Sequence, residues 1–184
     1  TSGGRLELGI GAGWNEEECE AYGFNLGTME DRFDRFEEGL EVIQLLLTQE
    51  RSDFTGNWYT LKNAMNNPKG PQDPLPICIG GAGLRRTIPA VAKYAHHWNY
   101  GSQTMSLQDF QKRHKVFLQA CDDIGRDPNE ITISTLLQYS GDITATINQA
   151  EEFEAAGVNL GIVSIPKNED PSVVEKIAEG LATL

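Results

Sequence analysis

The feature that most constrains this chain is a rhythm. Short runs of alternating or β-branched apolar residues give way, five times over, to longer stretches whose apolar residues recur every three or four positions. Each predicted strand is thus followed by a helix, and a helical crossover returns the chain so that successive strands run parallel beneath a helical layer. The fold class is α/β.

The first unit is Arg5-Leu6-Glu7-Leu8-Gly9-Ile10, which breaks at Gly11-Ala12-Gly13. Its helix covers about 30–48, with Phe33, Phe36, Leu40, Ile43 and Leu47 on one face and Thr28 with Asp31 as its cap. The second strand, 76–79, runs into Gly80-Gly81-Ala82-Gly83 and a helix over 84–95 whose early turns Pro89 bends. A short strand at 97–99 precedes a helix over 107–124 that stops at Gly125. Strands at 131–137 and 160–165 lead to helices at 143–156, ended by Gly157, and 173–181. Residues 51–75 break the pattern: Phe54 to Tyr59 predicts two short strands around Gly56-Asn57, and Asn66 to Pro76 is loop-forming. This is an irregular excursion inside one domain covering 1–184.

Length bears on the architecture. A closed eightfold barrel takes about 250 residues, and five units in 184 residues make five-eighths of one. The expectation is an N-terminally truncated chain, in keeping with the opening Thr1-Ser2-Gly3-Gly4, a glycine-rich turn entering a strand. The rhythm alone leaves the sheet open or closed.

Charge narrows the partners. Fifteen Lys and Arg stand against 27 Asp and Glu, a net charge of −12, and the basic residues are scattered. Nucleic-acid binding is therefore not expected, and a small-molecule substrate is. No apolar run approaches the ~20 residues that cross a bilayer, so no membrane association is expected. Cys19, Cys78 and Cys121 are odd in number and form no C-x-x-C pair, which suits reduced packing thiols in a cytoplasmic protein.

In parallel α/β folds ligands gather at the carboxyl ends of strands. Gly80-Gly81-Ala82-Gly83 lies there, where bare backbone amides and a following helix would suit a phosphate. The plainer reading is a tight turn, and the residues alone leave both standing. Arg85 and Arg86, placed in the first helical turn, oppose the helix dipole unless an anion sits nearby or both point into water. Gly11-Ala12-Gly13-Trp14 is the analogous turn after the first strand. Asn15-Glu16-Glu17-Glu18 reads as a solvated helix start rather than an acid or base. His96 and His97 point to opposite faces of a strand and cannot chelate one metal, so no metal site is expected, and His114 lies in an ordinary helix. No Ser-His-Asp or Cys-His set is readable. Trp14, Trp58 and Trp98 read as core or rim packing, with Trp14 placed equally well to stack on a ligand.

Together, Gly4 to Glu18, Tyr22-Gly23, Arg32 to Glu38, Phe54 to Tyr59, Pro76 to Gly83, Arg86-Thr87, Tyr94-Ala95, Trp98-Asn99 and Ala156-Gly157-Val158 resemble the bacterial luciferase-like superfamily, with its coenzyme F420-dependent oxidoreductases as the branch most similar. The resemblance implies a partial (β/α)8 TIM barrel, here the fourth to eighth strands. It implies that the cofactor phosphate lies against Gly80, Gly81, Ala82, Gly83 and Leu84, that Gly11, Ala12, Gly13 and Trp14 border the cofactor, and that Arg32 reaches its phosphate. The activity implied is hydride transfer between a reduced deazaflavin and a small organic substrate, with an FMN-dependent monooxygenase or a non-catalytic barrel subunit as alternatives. A homodimer is implied for the full-length protein. Where many relatives read Ala-Asp-x-Trp-Asn, this chain has Ala95-His96-His97-Trp98-Asn99 and lacks that carboxylate. The substrate-side acid and base fall on family strands outside this chain, so the resemblance assigns no catalytic residue.

Overall fold

The computed structural model describes residues 2–101 and 106–182, in two compact units, 1–79 and 80–184. In the first unit β1 (Leu8–Ile10) lies parallel to β4 (Ile77–Gly80), with Leu8 opposite Ile77 and Ile10 opposite Ile79. Between them come α1 (Glu16–Ala21), α2 (Met29–Thr48) and an antiparallel hairpin of β2 (Ser52–Thr55) and β3 (Thr60–Ala64). The hairpin is the predicted two-strand excursion, but Trp58 and Tyr59 fall in its 56–59 turn and the second strand begins only at Thr60. β1 is shorter than the alternation of residues 5–10 suggests, because its ladder reaches only the three residues facing 77–79.

The predicted cap of α2 forms as a full capping box: Thr28 Oγ1 accepts from the Asp31 amide at 3.1 Å, and Asp31 Oδ2 accepts from the Thr28 amide at 3.0 Å. Further along α2, the Glu38 carboxylate accepts the amides of Asn57, Trp58 and Tyr59 at 3.0, 2.8 and 2.7 Å, fastening the hairpin tip to the helix. Desolvation pushes the Glu38 carboxyl up, but these three donors outweigh it and hold the pKa below its usual value. Its contribution is therefore present above the ordinary glutamate pKa and is lost as pH falls through the lowered one. Glu38→Gln, which offers one acceptor oxygen in place of two, is expected to speed amide exchange at residues 57–59 by about tenfold or more, read by hydrogen exchange at neutral pH.

The second unit supplies α3 (Thr87–Tyr94), β5 (His97–Asn99), α4 (Leu107–Asp123), β6 (Thr132–Gln138), α5 (Ile143–Ala155), β7 (Leu160–Ser164) and α6 (Val173–Leu181). β5, β6 and β7 pair in parallel and in sequence order. Trp98 and Tyr100, from β5 and its exit, meet Phe110 and Phe117 of α4, all four fully buried. Ring centroids lie 5.2 Å apart for Trp98–Phe117 and 5.0 Å for Tyr100–Phe110. Each such pair adds about 0.5–1.5 kcal/mol beyond the area it buries. The cluster ties α4 to the strand whose indole reaches the glycine turn.

One helix start differs from the sequence expectation. Residues 84–86 are turn, and α3 begins at Thr87 with Arg86 as its N-cap residue. Arg85 and Arg86 therefore precede the helix rather than sit in its first turn. Pro89 becomes the third helical residue, where its missing N–H is one of the four that have no intrahelical acceptor, so it does not interrupt the helix. Among the described residues, no helix is long and apolar enough to cross a membrane.

Candidate functional site

Within the second unit, the turn from Gly80 to Leu84 is shaped by what its carbonyls do. Gly81 takes φ +119, a conformation L side chains rarely adopt, and its amide donates to Asn99 O at 3.1 Å. The Gly81 carbonyl accepts the Trp98 indole Nε1–H at 2.8 Å. The Ala82 carbonyl accepts Arg113 Nε–H at 3.0 Å, and the Gly83 carbonyl accepts the Ile88 amide at 3.0 Å. In a trans peptide the C=O and the following N–H point opposite ways. Tying three successive carbonyls back into the protein therefore turns the amides of Ala82, Gly83 and Leu84 the other way, and among the described residues none of these three has an acceptor.

Successive free amides from a turn entering a helix form an anion-binding concavity. The tight-turn reading accounts for the glycines but not for the three successive amides left without an acceptor. Thr87 lies buried beneath the turn: a Cβ on Gly83 would come within 2.8 Å of its Oγ1, and one on Gly81 within 3.3 Å of its Cγ2. Leu84 is half exposed.

The first unit carries a second polar feature. Arg32 is 8% exposed; its guanidinium donates to Gly13 O at 3.0 Å and meets Met29 Sδ at 3.0 Å, while Nε has no partner. No carboxylate pairs with it among the described residues. A buried cation without a counter-charge costs several kcal/mol unless something anionic reaches it. Arg32 borders a cavity of about 230 Å³ lined also by Ile10, Gly11, Ala12, Arg35 and Tyr59. Arg35 donates to Asn25 O and Leu26 O, and its guanidinium lies 5.5 Å from the Trp58 ring centroid, so it holds the chain entering α2.

Gly11, Ala12 and Arg32 thus share one cavity, and Gly13 is tied to the same arginine. Trp14 does not line it and is 82% exposed, unpacked on its own unit. Trp98 is core, but its indole N–H also orients the glycine turn, a role a packing assignment misses. Arg113 carries no local sequence signal for its contact with Ala82, which lies 31 residues away. His97 is buried, with Nε2 2.7 Å from Ser134 Oγ, which also accepts from Asn99 Nδ2 at 2.7 Å. His114 is stacked between Phe110 and Phe117 at centroid distances of 5.3 and 5.9 Å, and burial pushes its pKa below the usual value.

Comparison with known proteins places these features in a family context. The family model described as luciferase-like monooxygenase matches residues 1–158. An F420-dependent glucose-6-phosphate dehydrogenase of Intrasporangium calvum is 27% identical over 187 aligned positions, covering 97% of this chain and 54% of that protein. The chain spans about half the length, or less, of the curated relatives it matches. Among solved structures, an F420-dependent secondary alcohol dehydrogenase in complex with an F420-acetone adduct superposes with a TM-score of 0.81 at 16% identity, over 97% of this chain and 70% of that one. The coenzyme F420-dependent tetrahydromethanopterin reductase of Methanopyrus kandleri gives 0.77 at 13% identity, over 99% and 75%. At such identities the likeness is one of fold, and it agrees with the α/β class and the partial (β/α)8 barrel.

Proposed function

Since the chain belongs to the luciferase-like monooxygenase family, we propose that the full-length protein is a coenzyme F420-dependent oxidoreductase acting on a small organic substrate. The observation that carries this reading is the run of outward amides at Ala82, Gly83 and Leu84, a ready receptor for the phosphate of the coenzyme. The relatives named for F420 favour it over FMN as the occupant. Gly80 to Leu84 would hold the phosphate by main-chain donors. Gly11, Ala12, Gly13 and Trp14 would border the coenzyme, and the Arg32 guanidinium would supply positive charge to its anionic arm.

When bound, F420 supplies a deazaflavin ring that carries a hydride. The residues of this chain bind and orient; none is assigned a proton-transfer role. Backbone donors recognise a phosphate without side-chain entropy to lose, and their direction is fixed before the ligand arrives.

The reading is tested by titrating the full-length protein with F420 and, separately, with FMN. Tight F420 binding with weak FMN binding is expected, and the reverse order would give the protein to the FMN-dependent members. Arg32→Met sharpens the test. Because it removes an unpaired buried cation, it should leave the ligand-free melting temperature unchanged or raised, while lowering F420 affinity by about 10- to 100-fold. Loss of stability with unchanged affinity would make Arg32 a structural residue.

A further inference from the structure

We propose that Arg113 is a positioning residue for the anion-binding turn: by taking the Ala82 carbonyl, it fixes the direction of the Gly83 amide and so sets how tightly the coenzyme's phosphate is held. The inference deepens the reading of that turn as a phosphate receptor and rests on it. Its starting point is an asymmetry among the three carbonyl anchors. The Gly83 carbonyl is held by Ile88, a main-chain donor in the first turn of α3, and the Gly81 carbonyl by Trp98, which the aromatic core locks in place. Among the described residues, the middle carbonyl, that of Ala82, is held only by a long side chain from α4, Arg113, through Nε at 3.0 Å.

Arg113 is itself set in place. Its NH1 donates to Asp109 O at 3.3 Å and lies 3.8 Å from Asp109 Oδ1, one turn earlier on α4. Asp109 is in turn fixed by Ser106: its amide donates to Ser106 Oγ at 3.2 Å, and Ser106 Oγ donates to Asp109 Oδ2 at 2.9 Å. The N-terminal cap of α4 thereby orients the guanidinium fork, with NH1 toward Asp109 and Nε toward the turn. A planar guanidinium directs its donors rigidly, which an ammonium on a flexible stem does not.

The Ala82–Gly83 peptide rotates through ψ of Ala82 and φ of Gly83, and the glycine on its C-terminal side offers little steric resistance. Without Arg113 its carbonyl is free to turn outward, presenting a negative dipole where the phosphate would meet the Gly83 N–H. The effect on an anion is then larger than the loss of one hydrogen bond, since an attractive dipole is replaced by a repulsive one. Because Arg113 faces the carbonyl side of the turn, its effect falls on coenzyme binding rather than on the chemical step.

The test uses full-length protein carrying Arg113→Met, Arg113→Gln or Arg113→Lys. For Arg113→Met, F420 affinity is expected to fall about tenfold or more, with kcat at saturating F420 unchanged and a melting temperature close to wild type. Arg113→Gln, neutral but able to donate, should recover affinity better than Arg113→Lys if direction matters more than charge. Wild-type affinity in Arg113→Met, or an affinity loss matched by general destabilisation that neither Gln nor Lys repairs, would overturn the proposal. A crystal structure of Arg113→Met decides independently of any coenzyme: an Ala82–Gly83 peptide still in its original orientation refutes the inference, and a rotated one supports it. Failure of wild type to bind F420 would instead count against the functional reading, leaving the peptide orientation to judge Arg113.

Discussion

Gly81→Val is expected to lower the F420 affinity of the full-length protein by about a hundredfold or more, while the protein still folds. Gly81 has φ +119, where a β-branched residue is strained by about 1–3 kcal/mol, and its new Cβ would press on Thr87 Cγ2 at 3.3 Å. Relaxing φ toward negative values rotates the peptides on both sides of residue 81. That breaks the hydrogen bonds from the Gly81 amide to Asn99 O and from the Trp98 indole to Gly81 O. The amide of Ala82 then turns away from the receptor, and the amide of Gly83 is displaced with it. Charge-assisted bonds to a phosphate contribute about 1.5–3 kcal/mol each, so losing or misdirecting two of them gives the size of effect stated. Isothermal titration with F420, beside a thermal melt to establish folding, measures it. Binding as tight as wild type would mean that the turn does not carry the anion, and the proposed function would lose its main support.

The parts of the molecule that were legible in the sequence are those whose signal is local. Apolar spacing along 30–48 places α2 within a residue of its observed span, and Thr28 with Asp31 marks its start, because helix faces and caps are written within one or two turns. The Gly-Asn pair likewise locates the hairpin. The start of α3 is not marked in the sequence because Gly83-Leu84-Arg85-Arg86 has no capping side chain to set a boundary; the turn is closed by the Ile88 amide on Gly83 O. The glycine turn itself was visible, but its polarity was not. Whether its amides face in or out depends on Trp98 and Arg113, 17 and 31 residues from the carbonyls they hold. The same holds for Glu38, whose three amide donors lie 19 to 21 residues on. Arg32 stood out only through the family resemblance; its burial without a counter-charge is a property of the fold.

Gly157→Ala is expected to destabilise the protein by about 2–4 kcal/mol, the largest stability effect of any single methyl group discussed above. Gly157 ends α5 at φ +108, where alanine is strained, and its Cβ would stand 2.6 Å from Cε1 and 3.2 Å from Nε2 of His114. That ring cannot retreat easily, since Phe110 and Phe117 stack on it within one helix. Removing the ring should therefore offset part of the cost: His114→Ala combined with Gly157→Ala ought to be less destabilised than the sum of the single changes, which urea denaturation of all four proteins reads as a coupling energy. Simple additivity would show that backbone strain alone accounts for Gly157.

The same packing fixes a pH dependence. Burial lowers the His114 pKa, so between the folded value and the ordinary value near 6.5 the unfolded chain binds more protons than the folded one. Stability must then decline as pH drops from about 6.5 toward the lowered folded pKa, and no further through this residue below it. His114→Phe, which preserves the stack and cannot titrate, is expected to flatten that segment of the stability profile. An NMR titration placing the His114 pKa at or above 6.5 would contradict both the sign of the slope and the packing that produces it.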